Sequence, residues 1–301
     1  MSLIERAAER LLAEQRLDGG AEPPPEAPVV QAPAPADDAE PAYIDEPVAQ
    51  TVQLNAAHLL ERGCLTAANL NTPLAMEFRR AKRPLLYNVK AEIQAHGHPN
   101  GRNLILVTSA VPGEGKSFVS TNLALSIASE IDQTVLLIDG DVMRRGAATT
   151  LGLEQTSGLL DVVAGERSVE EVLLHTNIPS LTIIPAGTTR PNADELYASD
   201  AMRTLIAEIG TRYADRIIII DAPPVLATNV PSILVKMIGQ VLFVVEADRT
   251  PQHLVIDALQ QLEGCDQIGL ILNKGSRRLP GQTYGYGYGY GYGYGYGANP
   301  G

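Results

Sequence analysis

The sequence predicts an α/β fold with a parallel sheet and helices on both faces. Three observations carry that prediction. First, short unbroken apolar runs recur between helical stretches, at 104–107, 134–138, 181–184, 217–220, 241–245 and 268–272. Continuous runs of this kind read as strands buried on both faces, which is the signature of a parallel sheet in α/β proteins. Second, Leu104-Ile105-Leu106-Val107 leads through a loop with two glycines and a proline, Ser109 to Gly115, into Lys116-Ser117 and the helix-forming run Asn122 to Ala128. Third, two of the apolar runs end in aspartate, at Asp139 and Asp221. In an open α/β sheet, ligands sit beyond the carboxyl ends of the strands.

Strand, glycine loop, Lys-Ser, helix is the context that a phosphate-binding P-loop requires, so the fold expected is of the P-loop NTPase type. Gly113 and Gly115 let backbone N–H groups approach phosphate oxygens without a Cβ in the way. The helix N-terminus adds partial positive charge. Lys116 can reach the β- and γ-phosphates, and the Ser117 hydroxyl can ligate Mg²⁺. The residues expected to hold nucleotide are Val111, Pro112, Gly113, Glu114, Gly115, Lys116, Ser117 and Phe118. Ala110 stands where the usual motif has its first glycine.

The strand Thr134 to Ile138 ends in Asp139-Gly140-Asp141, two carboxylates one residue apart, with Arg144 and Arg145 just beyond. Placed near phosphates, such a pair suits metal or proton chemistry. Ile217 to Ile220 ends in Asp221, a Walker B pattern whose carboxylate holds Mg²⁺ directly or through water. Ala222 follows it, where many hydrolytic P-loop ATPases carry a water-activating Glu. A plain ATPase is therefore disfavoured.

The chain has 301 residues and a net charge of −12, which disfavours general nucleic-acid binding. Its two cysteines, Cys64 and Cys265, are too few for a disulfide framework or zinc site and fit a reducing cytoplasm. No run of about twenty apolar residues is present, so membrane association would need a partner. Residues 1–17 read as a short amphipathic helix with Leu3, Ile4, Ala7, Ala8, Leu11 and Leu12 on one side. That pattern suits either a weakly helical tail or a docking helix. Residues 18–55 read as a Pro/Ala-rich linker with eight acidic residues and no Lys or Arg, unable to bury enough apolar surface to fold. The foldable domain is expected over 56–274. It opens with a helical segment over 75–93, kinked or broken near Arg83 by Pro84. Glu77, Arg80 and Arg83 fall on one face of it, either as a solvated strip or as an intersubunit one. His96 and His98 bracket a glycine in a solvated turn. Residues 275–301 read as a flexible tail in which Tyr284, Tyr286, Tyr288, Tyr290, Tyr292, Tyr294 and Tyr296 alternate with glycine. It is either a sticky low-complexity end or a set of phosphate acceptors.

Taken together, these residues resemble the bacterial tyrosine kinase (BY-kinase) family of polysaccharide biosynthesis, and most of all the soluble autokinases of exopolysaccharide loci. The resemblance runs from about Leu70 to the C-terminus. It covers Ala110 to Ser117, Leu136 to Asp141, Ile217 to Asp221, the Glu77-x-x-Arg80-x-x-Arg83 pattern, Pro185-Ala186-Gly187 with Pro191-Asn192 and Glu195-Leu196, and the tyrosine tail. It departs at Met143, where the family often has an arginine that here comes one residue later, at Arg144. The resemblance implies ATP and Mg²⁺ as cofactors and Lys116, Asp139 and Asp141 as catalytic residues. It implies Ser117, Asp141 and Asp221 around the metal, with Asp139 accepting the tyrosine proton and Asn273 reading the adenine. It also implies a homo-oligomeric ring held through Glu77, Arg80 and Arg83, phosphorylation of a neighbour's tail, a membrane chain-length (co-polymerase) partner at the inner face of the plasma membrane, and a tyrosine phosphatase. Two other classes compete. A ParA/MinD-like positioning ATPase would carry a lysine at Val111 and no tyrosine tail. A nucleotide-gated scaffold would bind nucleotide without phosphorylating tyrosine.

Overall fold

The computed structural model describes residues 50–154 and 156–275. The amphipathic segment 1–17, nearly all of the acidic linker and the tyrosine run lie outside the described residues. Eight strands form one sheet in the order β1-β4-β5-β3-β6-β2-β7-β8. These are β1 (Gln50–Val52), β2 (Leu104–Ser109), β3 (Thr134–Asp139), β4 (Leu174–Thr176), β5 (Leu181–Ile184), β6 (Arg216–Asp221), β7 (Gln240–Glu246) and β8 (Ile268–Asn273). Neighbours pair in parallel except β4 and β5, which are antiparallel. The central strands β2, β3 and β6 follow from their Val, Leu and Ile runs. Their pleat sends alternate side chains into two cores. Leu104, Leu106, Leu136, Ile138, Ile218 and Ile220 enter one core. Ile105, Val107, Val135, Leu137, Ile217 and Ile219 enter the other.

Helix α1 (Ala56–Glu61) precedes α2 (Pro73–His96), and α3 (Lys116–Ala128) follows β2. The remaining helices are α4 (Gly146–Leu151), α5 (Leu159–Val163), α6 (Val169–Val172), α7 (Ala193–Ala198), α8 (Asp200–Arg212), α9 (Val230–Leu234) and α10 (Gln252–Gln260). The doubly covered sheet expected from the sequence is present, with β1 and β4 running antiparallel to the other six strands. The sheet also reaches into the predicted linker, because residues 50–52 pair with β4 at one edge. Three ladder positions anchor a segment too polar to form a core.

Where a kink or a break is expected, helix α2 runs unbroken through Pro84. Its ends are well defined. The Thr72 hydroxyl accepts from Ala75 N, Pro73 occupies the first turn, and Gly97 closes the helix at φ 79°. Phe78 on one side of Pro84 and Leu85, Leu86 and Val89 on the other are buried. Burial on both sides offsets the missing backbone bond, and Pro84 itself is exposed, where water can meet the freed carbonyl. Ser168 and Glu171 form a capping box that starts α6, and the chain turns into β4 at Leu174.

Candidate functional site

The loop between β2 and α3 stands at the carboxyl edge of the sheet. Gly113 and Gly115 adopt φ 95° and 92°, conformations that a side chain rarely tolerates. Ala110 is fully buried and does not take a positive φ, so alanine fits the first-glycine position without strain. The loop is braced from several sides. Thr108 Oγ1 donates to Pro223 O at 2.7 Å. Glu114, almost wholly buried, accepts from Val111 N at 2.7 Å, from Thr250 Oγ1 at 2.6 Å and from Glu246 N at 3.3 Å. The sequence pattern places Glu114 among the nucleotide contacts; its side chain fixes the loop's shape, which leaves its backbone N–H for a ligand. The Phe118 ring faces away and packs edge-to-face on Phe78, with centroids 6.2 Å apart, so only its backbone remains for a ligand.

Asp139 and Asp221 are paired neighbours at the ends of adjacent parallel strands. Asp139 is fully buried; its Oδ1 accepts from Asp141 N at 3.1 Å and its Oδ2 from Ala148 N at 3.0 Å. Burial pushes its carboxyl above the usual carboxylate range, against the pull of those two N–H groups. Asp141 Oδ2 pairs with Lys116 Nζ at 2.8 Å, and Oδ1 accepts from Arg144 N at 3.1 Å. The exposed Arg144 side chain thus follows a backbone that helps hold Asp141. Arg145 takes φ 48° and donates to Thr189 Oγ1 at 2.7 Å.

Asp221 is also fully buried, and no donor stands at full hydrogen-bond distance from either carboxylate oxygen, the Ser117 hydroxyl being near enough only to lower its pKa. Burial pushes its carboxyl up as well, opposed by the Lys116 charge. Two buried carboxylate oxygens left this way are costly unless something binds them. A hard cation meets that need, and the residues fit Mg²⁺, which asks for oxygen ligands and completes its shell with water and phosphate. Among the described residues no group of three His, Cys, Asp or Glu side chains could hold a metal alone. Asp221 and the Ser117 hydroxyl would share it with phosphate oxygens, with Asp141 beside them. Gly146 keeps that space open: a Cβ there would lie 2.1 Å from Ser117 Oγ and 3.6 Å from Asp221 Oδ2. Nothing in the local sequence pattern marks Gly146 for this part.

Asn273, at the end of β8, donates from Nδ2 to Glu114 O at 2.8 Å. Its Nδ2 would lie 2.1 Å from a Cβ on Gly115. Asn273 therefore lies over the loop, and glycine is required beneath it. Tyr197 is another residue that no sequence pattern marks. Its fully buried hydroxyl donates to Gly140 O at 2.7 Å, holding the peptide between Asp139 and Asp141. Tyr197→Phe is expected to leave that carbonyl unsatisfied and to lower unfolding free energy by about 1–3 kcal/mol. Chemical denaturation of the two proteins checks this; equal midpoints would mean that the bond is dispensable. Glu77, Arg80 and Arg83 are all exposed on α2. The seven tail tyrosines lie outside the described residues.

Fold and site define a P-loop nucleotide-binding domain. The AAA domain family model (AAA_31) matches residues 103–262. The kinase domain of the Escherichia coli tyrosine kinase ETK is 30% identical, covering 69% of this chain and 78% of that chain at a TM-score of 0.56. The VpsO kinase domain is also 30% identical, covering 65% of this chain and 98% of its own at a TM-score of 0.54. The tyrosine-protein kinase ptk of Acinetobacter johnsonii is 36% identical over 181 residues, 60% of this chain and 24% of that protein. The chain spans about a quarter of the length of the curated relatives it matches. It belongs to the AAA domain family and, within that fold, to the bacterial tyrosine kinases. No helix among the described residues is long and apolar enough to cross a membrane.

Proposed function

We propose that the chain is an ATP-dependent protein-tyrosine autokinase that phosphorylates the tail of a neighbouring copy. The observation that carries this reading is the convergence of Lys116, Ser117, Asp139, Asp141 and Asp221 on one P-loop, in a chain that ends in alternating tyrosines. Family membership and the names of the relatives support it. Mg²⁺, when bound, would neutralise charge on the β- and γ-phosphates.

The chain's own groups do the rest. Backbone N–H groups of Gly113 to Ser117 and the start of α3 cradle phosphate oxygens. Lys116 exchanges its pairing with Asp141 for the β- and γ-oxygens. The tyrosine oxygen bonds to the γ-phosphorus as the bond to the β–γ bridging oxygen breaks, leaving ADP. Asp139 takes the phenolic proton, and burial raises its affinity for one. Because Asp139 has no exposed surface, that transfer requires the 140–147 turn to open. Asn273, already above the loop, reads the base.

Glu77, Arg80 and Arg83 join copies into a ring in this reading. Replacing all three by Ala is expected to turn the oligomer into a monomer in light scattering. An unchanged mass would make the strip a solvated surface. A membrane chain-length protein recruits the chain to the inner face of the plasma membrane for polysaccharide export, and a tyrosine phosphatase resets it. The deciding experiment is mass spectrometry of the purified protein with and without Mg·ATP. Phosphate on several of Tyr284 to Tyr296 is expected. An unmodified tail in protein that binds nucleotide would leave the scaffold reading in its place.

A further inference from the structure

Strand β8 is the outermost strand of the sheet, and its free edge is bare among the described residues. The bonds from Val241 N to Gln267 O and from Ala247 N to Asn273 O turn the odd-numbered residues of β8 toward β7. Alternation then leaves the backbone N–H and C=O of Ile268, Leu270 and Leu272 pointing outward. Leu270 and Leu272 are 58% and 72% exposed. An edge of this kind, apolar and without a charged side chain along Ile268 to Asn273, is a template for one more strand. Beside it, between β8 and α2, lies a groove of about 650 Å³ with an apolar floor of Leu74, Phe78, Leu85, Phe118 and Ile271, and with Glu77 and Arg80 of α2 on its wall. No described residue fills it.

Chain continuity brings one segment of this same chain within reach of it. The described chain leaves at Gly275, two residues past the end of β8. Residues 276–283 are long enough to turn back, since hairpin connections need only a few residues. From Tyr284 to Tyr296 the chain then repeats with period two. In an extended strand that period puts every tyrosine on one face and every glycine on the other. The repeat also removes the usual register problem, because a slip by two residues keeps the same face. Six residues suffice to pair along β8, about 20 Å, and the run supplies thirteen. Glycine makes such a strand costly to order alone, so it forms only where a neighbour supplies a paired edge and an apolar seat.

We propose that the unphosphorylated tyrosine run adds to β8 of its own chain as an antiparallel strand, with its rings in the α2–β8 groove. Main-chain bonds to Ile268, Leu270 and Leu272 hold it, as in strand addition generally. A phosphate brings about −1.5 to −2 charges, which the apolar floor of Leu74, Phe78, Leu85 and Phe118 rejects and which Glu77 on the wall repels, against the single pull of Arg80. Each modified tyrosine therefore loses its place there, and the edge is uncovered as phosphate accumulates. The docking does not depend on which enzyme adds the phosphate, so its failure and the failure of the kinase reading are separable.

Hydrogen exchange on three full-length proteins without nucleotide tests this. They are the wild type, a variant with all seven tail tyrosines changed to Phe, and one with all seven changed to Glu. The amides of Leu270 and Leu272 are expected to exchange at least tenfold more slowly in the wild type and the Phe variant than in the Glu variant. That protection is expected to be unchanged on tenfold dilution. Equal exchange in all three proteins would overturn the proposal. Loss of protection in the Phe variant would overturn the seating of rings in the groove. Protection that fades on dilution would assign the edge to a second copy and overturn docking within one chain.

Discussion

Asp221→Asn is expected to stabilise the nucleotide-free, metal-free protein while abolishing phosphoryl transfer. Asp221 brings a third carboxylate into a fully buried cluster served by one cation, Lys116, which already pairs with Asp141. No donor stands at full hydrogen-bond distance from its oxygens. Asparagine is nearly the same size and removes the charge. A gain of about 1–3 kcal/mol is expected at neutral pH. The pH dependence follows from the raised carboxyl. A carboxyl raised by folding disfavours the folded state once it is ionised. The cost is absent below the unfolded value near 4 and grows as pH rises toward the raised folded value. Wild-type stability in chelator should therefore fall from acid toward neutral pH, and the variant should fall less. Denaturation at pH 5 and pH 8 measures both slopes. A variant no more stable than wild type at pH 8 would show that another group already compensates Asp221. Phosphate transfer should drop by about 10²–10³-fold or more if Asp221 holds the metal as proposed.

Lys116→Met is expected to move stability in the opposite direction while also removing activity. Lys116 Nζ is the charged partner of Asp141, and both side chains are nearly buried. Methionine fills much the same volume and leaves Asp141 without its cation, beside Asp139. Removing one member of a buried pair costs about 3–5 kcal/mol. Transfer should fall by about 10³-fold, the scale for losing a cation that meets the transferring phosphoryl group. Wild-type levels of tail phosphate in folded Lys116→Met protein would refute the kinase mechanism. The double variant with Asp221→Asn should recover part of the lost stability and none of the activity. The difference between that recovery and the gain from Asp221→Asn alone measures the coupling between the two groups.

The strand–loop–helix frame of the candidate site is legible because its signals are local. Leu104 to Ala128 carries strand, glycine loop and helix in one stretch, and Asp139 and Asp221 stand at the ends of runs that can only be strands. The missing pieces depend on distant contacts. Strands β1 and β4 have three residues each and exist because they pair with each other and with β5. No periodicity can register in three residues. Pro84 reads locally as a helix break, yet buried neighbours on both sides carry α2 past it. Glu114 looks like part of a phosphate loop, while its bonds reach Glu246 and Thr250, more than 130 positions away. Tyr197 reads as an ordinary helical tyrosine; only the fold brings its hydroxyl to Gly140. Gly146 is a glycine whose reason is the hydroxyl of Ser117, a contact that no spacing rule contains.

The end of β8 makes a mechanical connection. Asn273 donates to Glu114 O, and Lys274 Nζ donates to Gly113 O at 2.7 Å while pairing with Glu246 at 3.2 Å. The chain leaves from this point toward the tyrosine run. Any load on residues beyond Gly275 is therefore applied, through two adjacent residues, to the peptide groups between Gly113 and Gly115. The same linkage governs how a tail deletion should be cut. A truncation that removes Lys274 unties the loop as well as the tyrosines, whereas one that begins after Gly275 leaves both ties in place.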